Sequence, residues 1–110
     1  GNHNRDFTYI DDIVDGIISV INKPSRGKIP FNVFNIGNGN SRKLKDYLEI
    51  IERKLGKKAK IKKMPLQKGD IKKTHSNIKS LKNFSNYKPK TEIEVGVSKF
   101  IDWFIKYYKY

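Results

Sequence analysis

Apolar positions recur along this chain with helical spacing in four places. Ile10, Ile13, Val14, Ile17, Ile18 and Ile21 fall at i, i+3, i+4, i+7, i+8 and i+11, one stripe of a helix running from about Asp11 to Asn22. Such a stripe is expected to face a core. Asp11, Asp12 and Asp15 crowd its first turn, where unpaired N–H groups and the helix dipole favour negative charge. Pro24-Ser25-Arg26-Gly27 ends it. A second pattern, about Arg42 to Leu55, places Leu44, Tyr47, Leu48, Ile51 and Leu55 on one face, with Ser41 as N-cap and Gly56 at the C′ position. A shorter helix is predicted from Asn77, with Ile78, Leu81 and Phe84 inward. The last follows Pro89, where Thr91-Glu92-Ile93-Glu94 reads as a capping box. Ile93, Val97, Phe100, Ile101, Phe104 and Tyr108 are its buried stripe, with Trp103 beside it.

Two segments alternate with a period of two instead. Phe31 to Ile36 is a β-type run closed by Gly37-Asn38-Gly39-Asn40, and Lys58 to Lys63 alternates around Ile61 as an exposed strand. Residues 65–76 read as a loop carrying Pro65, Gly69 and Asp70. The fold class expected is α/β, a mixed unit of about four helices with two or three short strands.

Composition adds limits. The 110 residues suit one domain and include no Cys, which excludes disulfides and thiolate metal sites. Neither a signal-peptide pattern nor an apolar run of membrane-spanning length is legible, so no membrane partner and a cytoplasmic location are expected. The formal charge of +13 is uneven: residues 1–55 hold 9 Lys/Arg against 7 Asp/Glu, and residues 56–110 hold 15 against 4. A basic half of this kind suits an anionic partner. Only 4 of the 24 basic residues are Arg, the side chain suited to bidentate phosphate and base contacts, so a solvated lysine surface is the first reading and an anion-binding role the second.

Several candidate sites dissolve on inspection. Asp11-Asp12-Ile13-Val14-Asp15 has DDxxD spacing, but a chain this short and mixed cannot build the large helical cavity of a diphosphate–Mg²⁺ enzyme; helix capping is the better reading. Gly37-Asn38-Gly39-Asn40-Ser41-Arg42 lies where a dinucleotide loop would lie, yet Arg42 occupies the third glycine position and no ribose-binding acid follows; it reads as a plain turn. His3 and His75 are isolated, no metal site is expected, and no serine elbow occurs. Arg5 differs. An Arg on an extended segment before a helix can project its fork at a phosphate, or lie on the surface; Asp6 beside it can hold that fork or bond local backbone.

Arg5-Asp6-Phe7-Thr8-Tyr9-Ile10-Asp11-Asp12 resembles the Arg-Asp-Phe-x-Tyr-Val-Asp-Asp segment of extended short-chain dehydrogenases/reductases, most similarly that of UDP-glucuronate 4-epimerases and related nucleotide-sugar epimerases. Phe34-Asn35-Ile36-Gly37-Asn38 is similar to their Tyr-Asn-Ile-Gly-Asn strand and turn, and Met64-Pro65-Leu66-Gln67-Lys68-Gly69-Asp70-Ile71 to their Met-Pro-x-Gln-Pro-Gly-Asp-Val loop. Asn86-Tyr87-Lys88-Pro89-Lys90-Thr91, Gly96-Val97 and Trp103 complete the series in order. Lys68 replaces a Pro, and Asn77 stands where the family has a capping Asp.

The resemblance implies a C-terminal, UDP-sugar-binding domain over residues 1–110. Arg5 would bind the diphosphate and Asp70 the ribose, with Gln67 where related galactose epimerases carry a phosphate-binding Arg. The family's glycine-rich NAD loop and Tyr-x-x-x-Lys pair lie upstream of these motifs. No catalytic and no cofactor-binding residue is therefore assigned here, and NAD is expected on an N-terminal domain. The resemblance also implies a homodimeric full-length protein serving surface-polysaccharide precursor synthesis, with dehydration or decarboxylation as alternative chemistries. A basic nucleic-acid-binding module using Phe84, Tyr87 and the terminal tyrosines is the competing reading from another class.

Overall fold

A computed structural model describes residues 3–65 and 67–110; Gly1, Asn2 and Leu66, the last within the Met64–Ile71 motif, lie outside the described residues. In chain order the elements are β1 (Asn4–Arg5), α1 (Ile10–Ile21), β2 (Arg42–Lys43), α2 (Leu44–Leu55), α3 (Lys79–Ser85) and α4 (Ile93–Tyr108). The class is mixed helix and short strand, as expected, with four helices and a two-stranded sheet among the described residues. β1 and β2 pair antiparallel, Asn4 with Lys43 and Arg5 with Arg42. A bridge from Asn4 to Lys73 adds a third segment on the other side.

Few hydrophobic side chains are buried among the described residues. Ile50 on α2 packs with Val97 and Ile101 on α4, and Tyr47, Ile51 and Ile93 cover them. Leu81 on α3 and Tyr87 after it are the other buried apolar residues, at 3% and 4% exposure. The Cα radius of gyration, 17.3 Å, exceeds the value of about 13 Å typical of a compact chain of some 100 residues. Such a shape leaves much apolar surface outside.

α1 shows this most clearly. Its apolar stripe, expected to be core, is exposed: Ile10, Val14, Ile17, Ile18 and Ile21 range from 44% to 66%. The buried side carries Asp12 and Gly16, with Ser19 next in the i, i+4, i+7 series. Gly16 lies so close to its neighbours that a Cβ there would displace the tip of the Ile36 side chain and crowd the Tyr87 ring. Ser19 Oγ donates to Gly16 O at 2.7 Å and bonds Ser85 Oγ at 2.8 Å. Small and polar residues thus let α1 approach α3 closely, and the isoleucines are left facing out.

Neither predicted strand forms a ladder. Phe34 and Ile36 turn inward, Phe34 against Phe84 at 4.8 Å between ring centres, while Phe31 and Val33 are over 70% exposed. The alternation is real, but among the described residues no backbone lies alongside to accept and donate, and a strand exists only with a partner. Lys58 to Lys63 is exposed throughout for the same reason. Its start is tied to α2, where Glu52 accepts from Lys58 Nζ at 2.9 Å and from the Ala59 amide at 2.7 Å.

Helix starts also differ from the sequence expectation. Ser41 does not cap α2: Arg42 and Lys43 are taken by β2, and Ser41 Oγ donates to Thr74 O at 2.9 Å. The Thr91–Glu94 box does not close on α4. Thr91 N donates to Asp12 at 3.0 Å and Glu94 accepts from Arg42 at 3.3 Å, so tertiary partners replace the local ones. α3 begins at Lys79, whose amide donates to Asn77 Oδ1 at 3.1 Å. Gly56 ends α2 in the left-handed conformation, φ +64°, as its composition predicts. On α4, Phe100, Phe104 and Tyr108 remain 37–55% exposed, and only Val97 and Ile101 of the expected stripe are buried. No described helix is long and apolar enough to cross a membrane.

Candidate functional site

β1 is the axis of the site because two distant segments attach to it, one on each edge. β2 pairs along one edge. On the other, Asn4 N donates to Lys72 O at 2.9 Å and Thr74 N to Asn4 O at 3.1 Å. The Asp6 amide then donates to Thr74 Oγ1 at 3.1 Å. Residues 72–74 are thereby zipped to residues 4–6, and the loop that precedes them arrives beside Arg5.

There Arg5 Nη2 donates to Asp70 Oδ1 at 2.8 Å, and Nη1 donates to Asn4 O at 3.0 Å. Their side chains are 27% and 42% exposed, so the ion pair sits at a surface open to solvent. Asp70 is carried by a turn: its amide donates to Gln67 O at 3.2 Å, and Gly69 takes φ +88°, a region that an L side chain rarely adopts. Of the three residues singled out in the sequence, Arg5 and Asp70 meet directly, and Gln67 contributes its carbonyl to the turn. A guanidinium with partly free donors beside a carboxylate acceptor is suited to a ligand bearing both phosphate and hydroxyl groups.

Asp6 does not hold the Arg5 fork. Its carboxylate accepts from the amides of Asn38 at 3.0 Å, Gly39 at 2.9 Å and Ser76 at 2.8 Å. The Asn38 and Gly39 amides of the turn therefore point at a carboxylate of the chain itself. They cannot also cradle a pyrophosphate, so these residues do not form a dinucleotide site. Asp12, 3% exposed, uses both oxygens in the same way, accepting from Lys90 N at 3.1 Å and Thr91 N at 3.0 Å. That work, holding the approach to α4 against α1, is not cation binding and goes beyond capping.

Tyr87 is buried and donates its hydroxyl to Gly37 O at 2.9 Å. Burial raises its pKa above the usual value, and the Asp12, Asp6 and Asp15 carboxylates push the same way. It is therefore unavailable to stack on a nucleic-acid base, and Phe84 is engaged with Phe34. The Asp6, Asp12 and Tyr87 contacts join segments far apart in the chain, beyond the reach of local pattern. One signal existed: a turn with two glycines leaves free amides that must find an acceptor.

Away from this site, an apolar cleft of about 270 Å³ opens beside the stacked rings of Phe7 and Tyr47, whose centroids lie 4.4 Å apart; Ile93, Val97 and Phe100 of α4 complete it. Arg42, cross-strand from Arg5, is engaged by Asp46 at 3.7 Å and Glu94 at 3.3 Å.

Comparison with known proteins gives this geometry a context. Among the homologues and structural neighbours of the chain are UDP-glucuronate and UDP-glucose 4-epimerases of the extended short-chain dehydrogenase/reductase type. UDP-glucuronate 4-epimerases, which are isomerases, recur among them. Protein CapI of Staphylococcus aureus is 41% identical over 99% of this chain and 37% of its own length. UDP-glucuronate 4-epimerase 1 of Arabidopsis thaliana is 39% identical over 96% of this chain and 27% of its own. A UDP-glucuronic acid 4-epimerase variant from Bacillus cereus, solved with UDP-4-deoxy-4-fluoro-glucuronic acid and NAD, superposes with a TM-score of 0.86 at 27% identity, over 98% of this chain and 34% of that one. The chain thus spans about a third of the length of the relatives it matches. No family model matches it.

Proposed function

We propose that residues 1–110 form the nucleotide-sugar-binding domain of an NAD-dependent UDP-sugar epimerase, close in type to the UDP-glucuronate 4-epimerases. The observation that carries this is the 2.8 Å pairing of Arg5 with Asp70, brought together from opposite ends of a loop-and-strand assembly and left partly exposed. Arg5 binds the diphosphate, Asp70 accepts from the ribose, and Gln67 borders the same turn. Binding of this kind holds the sugar in register with a cofactor carried elsewhere in the protein. NAD supplies reversible hydride transfer there, on a segment outside this chain. No catalytic residue is assigned to residues 1–110.

The outward isoleucines of α1 and the unpaired Phe31–Ile36 segment support the same assignment. An apolar helix face and a strand without a ladder partner both call for more protein, and the strand suits the cofactor-domain sheet of the intact molecule. The intact enzyme is a cytoplasmic homodimer in this reading, and its product feeds surface-polysaccharide synthesis.

The test is direct. Intact protein with NAD is incubated with UDP-glucuronate, UDP-glucose and UDP-N-acetylglucosamine, and products are identified by NMR. Epimerisation at C4 of one of them supports the reading; a dehydrated or decarboxylated product keeps the scaffold and replaces the reaction. Absence of all three outcomes, with NAD bound, overturns it.

A further inference from the structure

Asp6 carries one of the densest sets of long-range hydrogen bonds near the site, and none of them touches the residues proposed to hold the ligand. Oδ2 accepts from Gly39 N and Ser76 N; Oδ1 accepts from Asn38 N and lies 3.5 Å from Thr8 Oγ1. The donors come from two segments, the turn at 37–39 and the end of the 70–76 loop. Gly37 has no room for a side chain because Ser76 is packed against it, with Ser76 Oγ 2.8 Å from where a Cβ would stand. A single carboxylate therefore pins the loop's far end to the turn. Between Ser76 and Asp70 the backbone is already zipped to β1 through Lys72 and Thr74. With Ser76 fixed, the register of this zipper is fixed, and Asp70 arrives opposite Arg5. Arg5 and Asp6 are consecutive on an extended segment, where side chains alternate. One side faces ligand and the next faces the brace.

We infer that Asp6 is a positioning residue for the nucleotide-sugar site, setting the reach of Asp70 to Arg5 through Ser76 and the 72–74 zipper; this rests on the reading of Arg5 and Asp70 as ligand-binding. Asp6→Asn keeps the size but replaces one accepting oxygen with a donor group. That group meets an amide that also donates, so the loop's anchor is weakened while Arg5 and Asp70 remain present.

The experiment is a double-mutant cycle in the intact protein with bound NAD, reading the dissociation constant for UDP by calorimetry and KM and kcat for the substrate. Asp6→Asn is expected to weaken UDP roughly tenfold and raise KM to match, with kcat within about threefold, one tenfold step being about 1.4 kcal/mol. In an Asp70→Asn background the same change is expected to cost less than about twofold, because the residue it positions is already disabled. A destabilisation spread over the whole fold would instead give the same loss in both backgrounds, and that result overturns the inference. If Asp6→Asn does not fold, Asp6→Glu, which keeps the charge and displaces the oxygens by one methylene, is put through the same cycle under the same criteria. Arg5→Ala separates the two levels. If it leaves UDP affinity unchanged, the ligand-binding reading itself fails; if it weakens UDP while the Asp6 variants do not, only the positioning role fails.

Discussion

The guanidinium of Arg5 and the carboxylate of Asp70 lie 2.8 Å apart across 65 residues of sequence, and neither is buried. An exposed pair of this kind contributes under about 1 kcal/mol to folding. Its value is therefore expected in binding. Arg5→Ala should weaken UDP-sugar binding by roughly tenfold to a hundredfold, in line with about 1.5–3 kcal/mol for a hydrogen bond to a charged group, and should shift the melting temperature little. Calorimetric titration and thermal melting of the same sample check both halves. Arg5→Lys should recover only part of the affinity, because an ammonium lacks the planar fork.

Asp12 should behave in the opposite way. It is 3% exposed and is the acceptor for Lys90 N and Thr91 N, so Asp12→Ala leaves two donors without a partner inside the fold. A loss of about 2–4 kcal/mol is expected from the unpaired groups. Chemical denaturation would measure it, and a change below about 0.5 kcal/mol would contradict the role given to this residue.

Tyr87 makes stability depend on pH at the alkaline end. Its pKa is raised above the usual 10.0, so the folded state holds the proton more tightly than the unfolded chain. Stability from this group is complete below the unfolded value and declines as pH climbs through the higher folded value. Tyr87→Phe loses the 2.9 Å bond to Gly37 O, about 1 kcal/mol near neutral pH, and should show a shallower decline above pH 10.0. Parallel melts across the alkaline range decide this.

Gly16 is expected to be intolerant of enlargement. A Cβ there meets Ile36 and comes within 3.0 Å of the Tyr87 ring, so Gly16→Ala should cost about 1–3 kcal/mol despite the better helix propensity of alanine. A stabilised Gly16→Ala variant would mean that α1 and Tyr87 are farther apart than described.

The exposed stripe on α1 should bind a hydrophobic dye when residues 1–110 are prepared alone. Ile17→Lys combined with Ile18→Lys, at positions 53% and 58% exposed, should lower the dye signal without unfolding the helix. Fluorescence titration alongside circular dichroism tests both points.

Local periodicity in the sequence was enough to determine that the four helices found among the described residues form, that α2 ends at Gly56, and that residues 67–70 turn at a glycine, because each depends on neighbours within a few positions. The ordered motifs also brought forward Arg5 and Asp70 as a pair worth watching. Only the tertiary structure decided where backbone donors find their acceptors. Asp12 took the Thr91 amide that a capping box would have used, and Thr74 took the Ser41 hydroxyl that would have capped α2. Asp6 turned to the amides of a distant turn instead of to its neighbour Arg5. Hydrophobic spacing marked one face of α1 for the core, yet Gly16 and the serines decided which face this chain packs. Close approach needs small side chains, and nothing in a one-dimensional pattern says which neighbour comes near enough to require them.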